Sequence, residues 1–312
     1  MAELRDLSDE DRSAYFRGIQ PIWGGGLDEA RFVLFQRRLA DSSDARGRYR
    51  LLGWYEEGAL TSALKAYDLR GSCAGKALPL LGIGAVYTPP GQRRRGHAAA
   101  LLRATMAEYR ARGARAAVLF SDIDAAYYEK LGFLPLESAE CNVHLTQLPK
   151  PSGGVRSSFA GDEEQLSRLF AAPRAGETRL CLSRDGWTLR FQLRRLRELA
   201  RARGVGEPEW GMISADRTGD GAAMLRFGRD TLDVLEAAWT TDGARDKLLG
   251  GLRECMLRTG RGKLRVWPAG LLRGLFPSAP RTSAIAMIAS LDEQASLPVR
   301  GGPAELALLD HL

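Results

Sequence analysis

Three consecutive arginines, Arg93, Arg94 and Arg95, stand between Pro89-Pro90 and Gly96 in the stretch IGAVYTPPGQRRRGHA. An arginine run alone marks a solvated face or a weak nucleic-acid patch. This one joins an apolar segment that stops at the prolines to an apolar helical pattern that begins at His97. A proline cannot donate to a strand ladder, so the strand must end there. A strand that delivers a basic, glycine-containing loop into a helix start makes an anion site. The first helical amides have no intrahelical partner, and the helix dipole adds partial positive charge. Gly96 permits close approach of the backbone and Ala98 keeps the first turn thin. Arg93–Arg95 can add bidentate phosphate contacts at the rim. The anion implied is a pyrophosphate or a similar polyphosphate; the competing reading is an exposed basic turn.

The surrounding pattern supplies elements to position such a loop. Ser8, followed by Asp9, Glu10 and Asp11, reads as the N-cap of a first helix, and residues 27–40 read as a second. YRLLGWYEEGALTSALKAYDL and GKALPLLGIGAVYT read as three strands, with turns at Glu57-Gly58 and around Arg70–Gly75. The third is nearly all apolar, as a strand buried on both faces must be. HAAALLRATMAEYRARG predicts an amphipathic helix closed at Gly113. ARAAVLFS then reads as a strand, DAAYYEKLGF as a short helix and CNVHLTQL as a strand. LPKPSGG is rich in Pro and Gly and places a linker at 149–154. Beyond it lie helices over GDEEQLSRLFAA and TLRFQLRRLRELARARG and strands over EWGMISAD, GAAMLRFG and TLDVLEAAW. A helix over GARDKLLGGLRECMLRTG, a strand over KLRVWP, a helical turn over GLLRGLF and a strand over TSAIAMIASL complete the chain. This order echoes residues 48–148 and suggests an internal structural repeat.

The pyrophosphate loop resembles that of the GNAT acyl-CoA-dependent N-acetyltransferases, whose pattern is Arg/Gln-x-x-Gly-x-Gly/Ala with a proline three residues before the basic position. Pro90, Arg93, Gly96 and Ala98 meet that spacing, with Arg94, Arg95 and His97 between them. A second signature, a Tyr four residues before Gly-Phe, is met by Tyr128, Gly132 and Phe133 in YYEKLGF. LFSDIDAAYYEKLGF is also similar to the fungal lysine-acetyltransferase-like branch of that family. The resemblance is specific over residues 83–133. It implies an α/β fold, a mixed sheet flanked by helices, with an acetyl-CoA-binding catalytic domain over 1–148. Residues 155–312 would be a degenerate second GNAT-like domain that shapes the acceptor pocket. The helix there follows TTDGARDK, without the basic run or the Gly spacing, so no coenzyme is expected at it.

The resemblance further implies direct attack of a primary amine, on a small molecule or a protein, on the thioester of acetyl-CoA, the co-substrate, with a small lysine-like amine favoured as acceptor. Backbone N–H groups around Val86, Tyr87 and Thr88 would polarise the thioester carbonyl, and Tyr128 would protonate the departing thiolate. Many relatives carry a glutamate on the strand before the loop, and KALPLLGIGAVYT has none. Glu56, Glu57, Asp122 and Asp124 are the candidate bases. Asp122 reads equally as the cap of the short helix, Tyr127 as the core-facing tyrosine of its pair, and the His97 ring as a bystander. The missing glutamate also fits an alternative, a non-catalytic acyl-CoA-binding regulatory or interaction protein.

Composition narrows the partners. The chain of 312 residues carries a net charge of +7, divided as +3 over residues 1–150 and +4 over 151–312. Neither half is a basic arm, which argues against a dedicated nucleic-acid binder and suits an anionic small ligand. The amphipathic arginine-rich segment 189–204 interleaves its charges with Leu and Phe, the pattern of a solvated helix face. Four scattered cysteines form neither a metal motif nor a disulfide framework, so no metal is expected and a reducing, cytoplasmic setting fits. No stretch reaches the ~20 apolar residues of a membrane span, so no membrane partner is expected.

Overall fold

The computed structural model describes residues 1–151, 156–157, 163–171, 180–204, 210–215, 220–269, 272–292, 297, 302 and 304–306. The first half runs β1 (Ala2–Asp6), α1 (Asp9–Trp23), α2 (Glu29–Ala40), β2 (Tyr49–Glu56), β3 (Ala59–Cys73), β4 (Lys76–Tyr87), α3 (His97–Ala111), β5 (Ala116–Ser121), α4 (Ala125–Glu129), β6 (Leu134–Pro135) and β7 (Ala139–His144). The second half runs β8 (Arg156–Ser157), α5 (Glu163–Ala171), β9 (Leu180–Leu182), α6 (Gly186–Arg203), β10 (Trp210–Ser214), β11 (Gly221–Phe227), β12 (Thr231–Trp239), α7 (Asp242–Thr259), β13 (Lys263–Val266), β14 (Ala279–Pro280), β15 (Ile285–Ser290) and β16 (Ala304–Glu305).

Local chemistry accounts for the element ends. The Ser8 hydroxyl accepts from Asp11 N and the Asp28 carboxylate from Arg31 N, each closing a helix start. β2 and β3 are joined by Glu57-Gly58, and β3 and β4 by Ala74-Gly75; all four residues have positive φ. Two-residue turns of that kind match the right-handed twist of a hairpin. They let β3 run on to Cys73, so the turn expected around Arg70–Gly75 is confined to its last two residues. β1 has no apolar alternation and was not expected. It is an exposed edge strand held by its ladder to β2.

One sheet has the order β1-β2-β3-β4-β5-β15-β6, with β9 on the far end of β3 and β16 beside β9. The other has the order β14-β7-β13-β12-β11-β10-β8. Each contains a parallel pair, β4 with β5 and β12 with β13, bridged by α3 and α7 respectively. A parallel connection needs such a crossover, and this correspondence is the internal repeat read from the element order.

The halves trade strands. β7, from the first half, pairs with β13 of the second sheet, and β15, from the second half, inserts between β5 and β6 of the first. Sheet membership therefore crosses the 149–154 segment, of which residues 152–154 lie outside the described residues, as do 270–271 of the expected helical turn. Second-half residues Leu180, Leu182 and Phe191 are buried in the core formed by α1, α2 and their face of the first sheet. Each such side chain contributes about 1.5–3 kcal/mol by leaving water. Leu101, Leu102 and Tyr109 of α3 fill the opposite face. Arg184, after β9, and Glu236 of β12 form a buried ion pair at 2.6 Å that joins the two sheets. No helix among the described residues is long and apolar enough to cross a membrane.

Candidate active site

The parallel ladder of β4 and β5 runs from Leu80 opposite Ala116 to Ile83 opposite Leu119 and stops. β4 then follows β3 as far as Tyr87, while β5 follows β15 as far as Ser121. Residues 84–87 of β4 and 120–121 of β5 are therefore not paired with each other. A bulge starts the divergence. Ala85 and Val86 together face the single residue Leu64, between the pairs Lys65–Gly84 and Ala63–Tyr87. Ala85 has φ +47°, a left-handed conformation that costs an L-residue ~1–2 kcal/mol. The Tyr15 hydroxyl, from α1, donates to the Ala85 carbonyl at 2.6 Å and holds the bulge in place. Bulges bend and re-aim a strand, and this one lies just past the end of the β4–β5 ladder.

The basic loop begins where β4 ends. Ser62 Oγ donates to the Tyr87 carbonyl at 2.9 Å and lies 3.0 Å from Thr88 Oγ1, fixing the exit from the strand. Arg93 Nε donates to the Thr88 carbonyl at 3.1 Å, and Arg95 Nη1 to Gln92 Oε1 at 3.2 Å. All three arginines are exposed, and Arg94 takes a positive φ of 63°. Gly96 is the N-cap of α3 with φ +86°, and no side chain caps the helix. The first intrahelical bond runs from Ala100 N to Gly96 O, so the amides of Gly96, His97, Ala98 and Ala99 precede the helical ladder. A Cβ on Gly96 would meet no heavy atom within 4 Å. Uncapped amides, open space and flanking guanidiniums fit a pyrophosphate.

Tyr128 lies in α4, buried in the same cluster as Ile83, Leu101 and Leu119, against which Val86 also packs. Its ring meets Tyr127 and Phe133 edge-on at 5.1 and 5.9 Å. Of the two tyrosines, Tyr128 is the buried one and Tyr127 the half-exposed one, the reverse of the expectation. A five-residue helix turns consecutive side chains ~100° apart, and the Gly132 turn at its end sets which one faces inward. Burial first, then Tyr127 and Asp122, push the Tyr128 phenol up to about 12.

The candidate bases are largely committed elsewhere. Glu56 Oε1 lies 3.0 Å from His97 Nδ1 and accepts from Trp54 Nε1 at 3.2 Å. His97 is buried, so its ring is no bystander but ties α3 to β2. Asp124, not Asp122, caps α4, accepting from Ala126 N. Asp122 Oδ1 instead accepts from Ala284 N at 3.0 Å and anchors the approach to β15. Glu57 sits in the β2–β3 turn with φ +52°.

Two groups escaped the sequence reading. Tyr15 reaches the bulge from 70 residues away, a contact no local pattern announces. Lys65 was visible as a lone cation in the apolar run LTSALKAYDL. It lies opposite Gly84 and donates to Gln36 Oε1 of α2 at 2.9 Å. Burial, with Arg195 of α6 nearby, lowers its pKa to about 7.

The corresponding helix of the second sheet begins differently. Thr241 caps α7 with its own side chain, accepting from Ala244 N at 3.1 Å, and Asp242 adds negative charge to the first turn. Among the described residues no group of three or more His, Cys, Asp and Glu could hold a metal ion.

Residues 3–136 match the family model for an acetyltransferase (GNAT) domain. A search of curated proteins gives no match. Among solved structures, a probable N-acyltransferase from Enterococcus faecalis, described as of unknown function, superposes with a TM-score of 0.70 at 17% identity over 94% of this chain and 73% of its own. A GCN5-related N-acetyltransferase from Anabaena variabilis gives 0.68 at 13% identity over 94% and 73%. A tandem GNAT protein from the clavulanic acid biosynthesis pathway gives 0.53 at 13% identity over 95% and 100%. At these identities the likeness is one of fold. The protein therefore has the GNAT fold, and with residues 3–136 matching an acetyltransferase (GNAT) domain it is an acyltransferase.

Proposed function

We propose that this chain transfers an acetyl group from acetyl-CoA to a primary amine, with a small lysine-like amine as the preferred acceptor. The observation that carries the reading is the conjunction at one end of β4. A bulge and strand divergence at residues 84–87 lie one short loop from an uncapped helix start at Gly96. Gly96, His97 and Ala98 would hold the pyrophosphate through their amides, and Arg94 would reach it from the rim beside Arg93 and Arg95. Backbone N–H groups of Val86–Thr88 would hold the pantetheine arm and polarise the thioester carbonyl.

In the transfer, the amine nitrogen bonds to the carbonyl carbon, the C–S bond breaks, and the amine proton leaves to solvent or a base. Tyr128, with its phenol pushed up to about 12, stays protonated through neutral pH. A phenol that weak is a poorer acid than an ordinary thiol at ~8.5. Its part is to donate a hydrogen bond to the sulfur as charge builds there, not to hand over its proton completely. Among the described residues α7, the counterpart of α3, offers no comparable start, since Thr241 caps it with its own side chain. We assign the second half the role of a degenerate partner unit, with α6 tied to the turn after α2 through Arg194–Asp44 at 3.1 Å and to the turn before it by Arg203 donating to the Gly25 carbonyl at 3.0 Å.

Turnover is measured as CoA release with a panel of lysine, polyamines and a lysine peptide, on the wild type and on Tyr128→Phe. The variant is expected to lose ~10²-fold in kcat with coenzyme affinity intact. Acetyl-CoA binding without release across the panel would leave a binding protein and overturn the transfer reading.

A further inference from the structure

Ala85 is held in a conformation that its side chain disfavours. Among the described residues it is the one residue other than glycine whose left-handed φ falls inside a strand; Glu57, Ala74, Arg94 and Ala284 lie between elements. The neighbouring strands restrain it little. The ladder to β5 ends at Ile83, and on β3 Ala85 and Val86 share a single partner.

The restraint comes from α1. Tyr15 is buried, and its hydroxyl donates to the Ala85 carbonyl at 2.6 Å. Burial, with Tyr67 nearby, pushes the phenol well above its ordinary value, so it remains a donor through neutral pH. One turn along the same helix, Gly18 makes a second hold. A Cβ there would stand 2.5 Å from Cε1 and Cζ of Tyr87, so the missing side chain is what lets that ring lie against the helix. Ser62 Oγ fixes the Tyr87 carbonyl from β3 at 2.9 Å. Residues 85 and 87 are thus each gripped from outside the ladder, with Val86 between them.

The peptide bond between Ala85 and Val86 is trans, so the Ala85 carbonyl and the Val86 N–H share a plane and point in opposite directions. A donor fixed on the carbonyl oxygen therefore sets where the amide points. An amide aimed in advance needs no reorganisation as charge develops on a substrate oxygen.

We propose that Tyr15 is a positioning residue for the transfer: through the Ala85 carbonyl it aims the Val86 amide at the thioester oxygen, and Gly18 seats the Tyr87 ring as a second hold. This role rests on the acetyl transfer proposed above.

Tyr15→Phe keeps the ring and removes the hydroxyl. Without that bond, alanine favours return from the left-handed region by a factor of roughly 5–30, and kcat should fall about that far. Values of kcat and kcat/KM for the amine should fall together, as for an interaction realised in the transition state. Acetyl-CoA affinity, set by the loop at Gly96, should stay close to wild type. Glycine accepts φ +47° without strain. In an Ala85→Gly background Tyr15→Phe should therefore lower kcat by no more than ~2-fold. A hydroxyl that only packed α1 would cost the same in both backgrounds. Gly18→Ala, which displaces the Tyr87 ring, should lower kcat as Tyr15→Phe does.

An analogue of acetyl-CoA with a methylene in place of the thioester sulfur gives a readout that needs no acceptor. Its carbonyl stretch, followed by infrared difference spectroscopy, should lie at higher frequency on Tyr15→Phe than on wild type, because the oxygen is less polarised. Wild-type kcat in Tyr15→Phe overturns the proposal, as does an equal loss in both backgrounds or an unshifted stretch. Absence of CoA release from the wild type overturns the transfer reading instead, and the stretch then decides whether Tyr15 aims the amide.

Discussion

Gly96 offers the sharpest test of the coenzyme loop, because two substitutions there separate backbone strain from charge. At φ +86° an L-residue costs ~1–2 kcal/mol, and the new Cβ meets no protein atom. Gly96→Ala and Gly96→Glu should therefore lose the same stability, a Tm drop of a few degrees in a chain of this size. Binding should distinguish them. A glutamate carboxylate about 5 Å from a phosphate charge, at the effective dielectric near a protein surface, is repelled by about 3 kcal/mol, or ~10²-fold. Two phosphates and the lost open space add to this. Calorimetric titration of acetyl-CoA into the three proteins should give wild type tightest, Gly96→Ala intermediate, and Gly96→Glu at least ~10²-fold weaker than wild type. The Glu loss should shrink as salt is raised. Equal affinity in all three proteins would refute the loop assignment. Equal losses in Ala and Glu would show that strain, not a phosphate, is what the position feels.

Lys65 makes stability depend on pH. Its folded pKa of about 7 lies below the unfolded value of 10.5, so the unfolded chain takes up a proton that the folded one resists. Stability should rise with pH through that window and be lowest below it. Urea unfolding of the wild type should gain about 1–3 kcal/mol more between pH 7 and about 9.5 than Lys65→Met gains. Parallel profiles would mean that Lys65 titrates normally. Arg184→Met removes the Arg184 guanidinium from the wholly buried Glu236 carboxylate and should cost ~3–5 kcal/mol. Adding Glu236→Gln should recover part of that loss in the same urea assay, and an additive double variant would refute the coupling.

Local physics made the coenzyme loop legible. Two prolines stop a strand, a glycine accepts φ +86° and an amphipathic run starts a helix, all within sixteen residues. The buried β4 and the capped α1 followed from composition and from Ser8 in the same way. Tyr128 was found from its spacing to Gly132-Phe133, yet which of the two adjacent tyrosines is buried depended on how the short helix meets the sheet.

Tertiary structure decided what local pattern leaves degenerate. The β7 strand alternates Cys141 and Val143 inward with Asn142 and His144 outward, a pattern that suits any sheet edge with an apolar face. Nothing within it says that the edge is β13 of the other half, and the same holds for β15 against β5. Strand pairing takes its direction from backbone groups common to all residues, so the choice rests on the packing of the whole. The Tyr15 bond to Ala85, the Glu56–His97 contact and the Arg281–Trp267 stack are consequences of that choice. Each joins groups separated along the chain by anything from 14 to 70 residues. Short-range rules end within a turn or a hairpin; beyond that, only the folded chain brings such groups together.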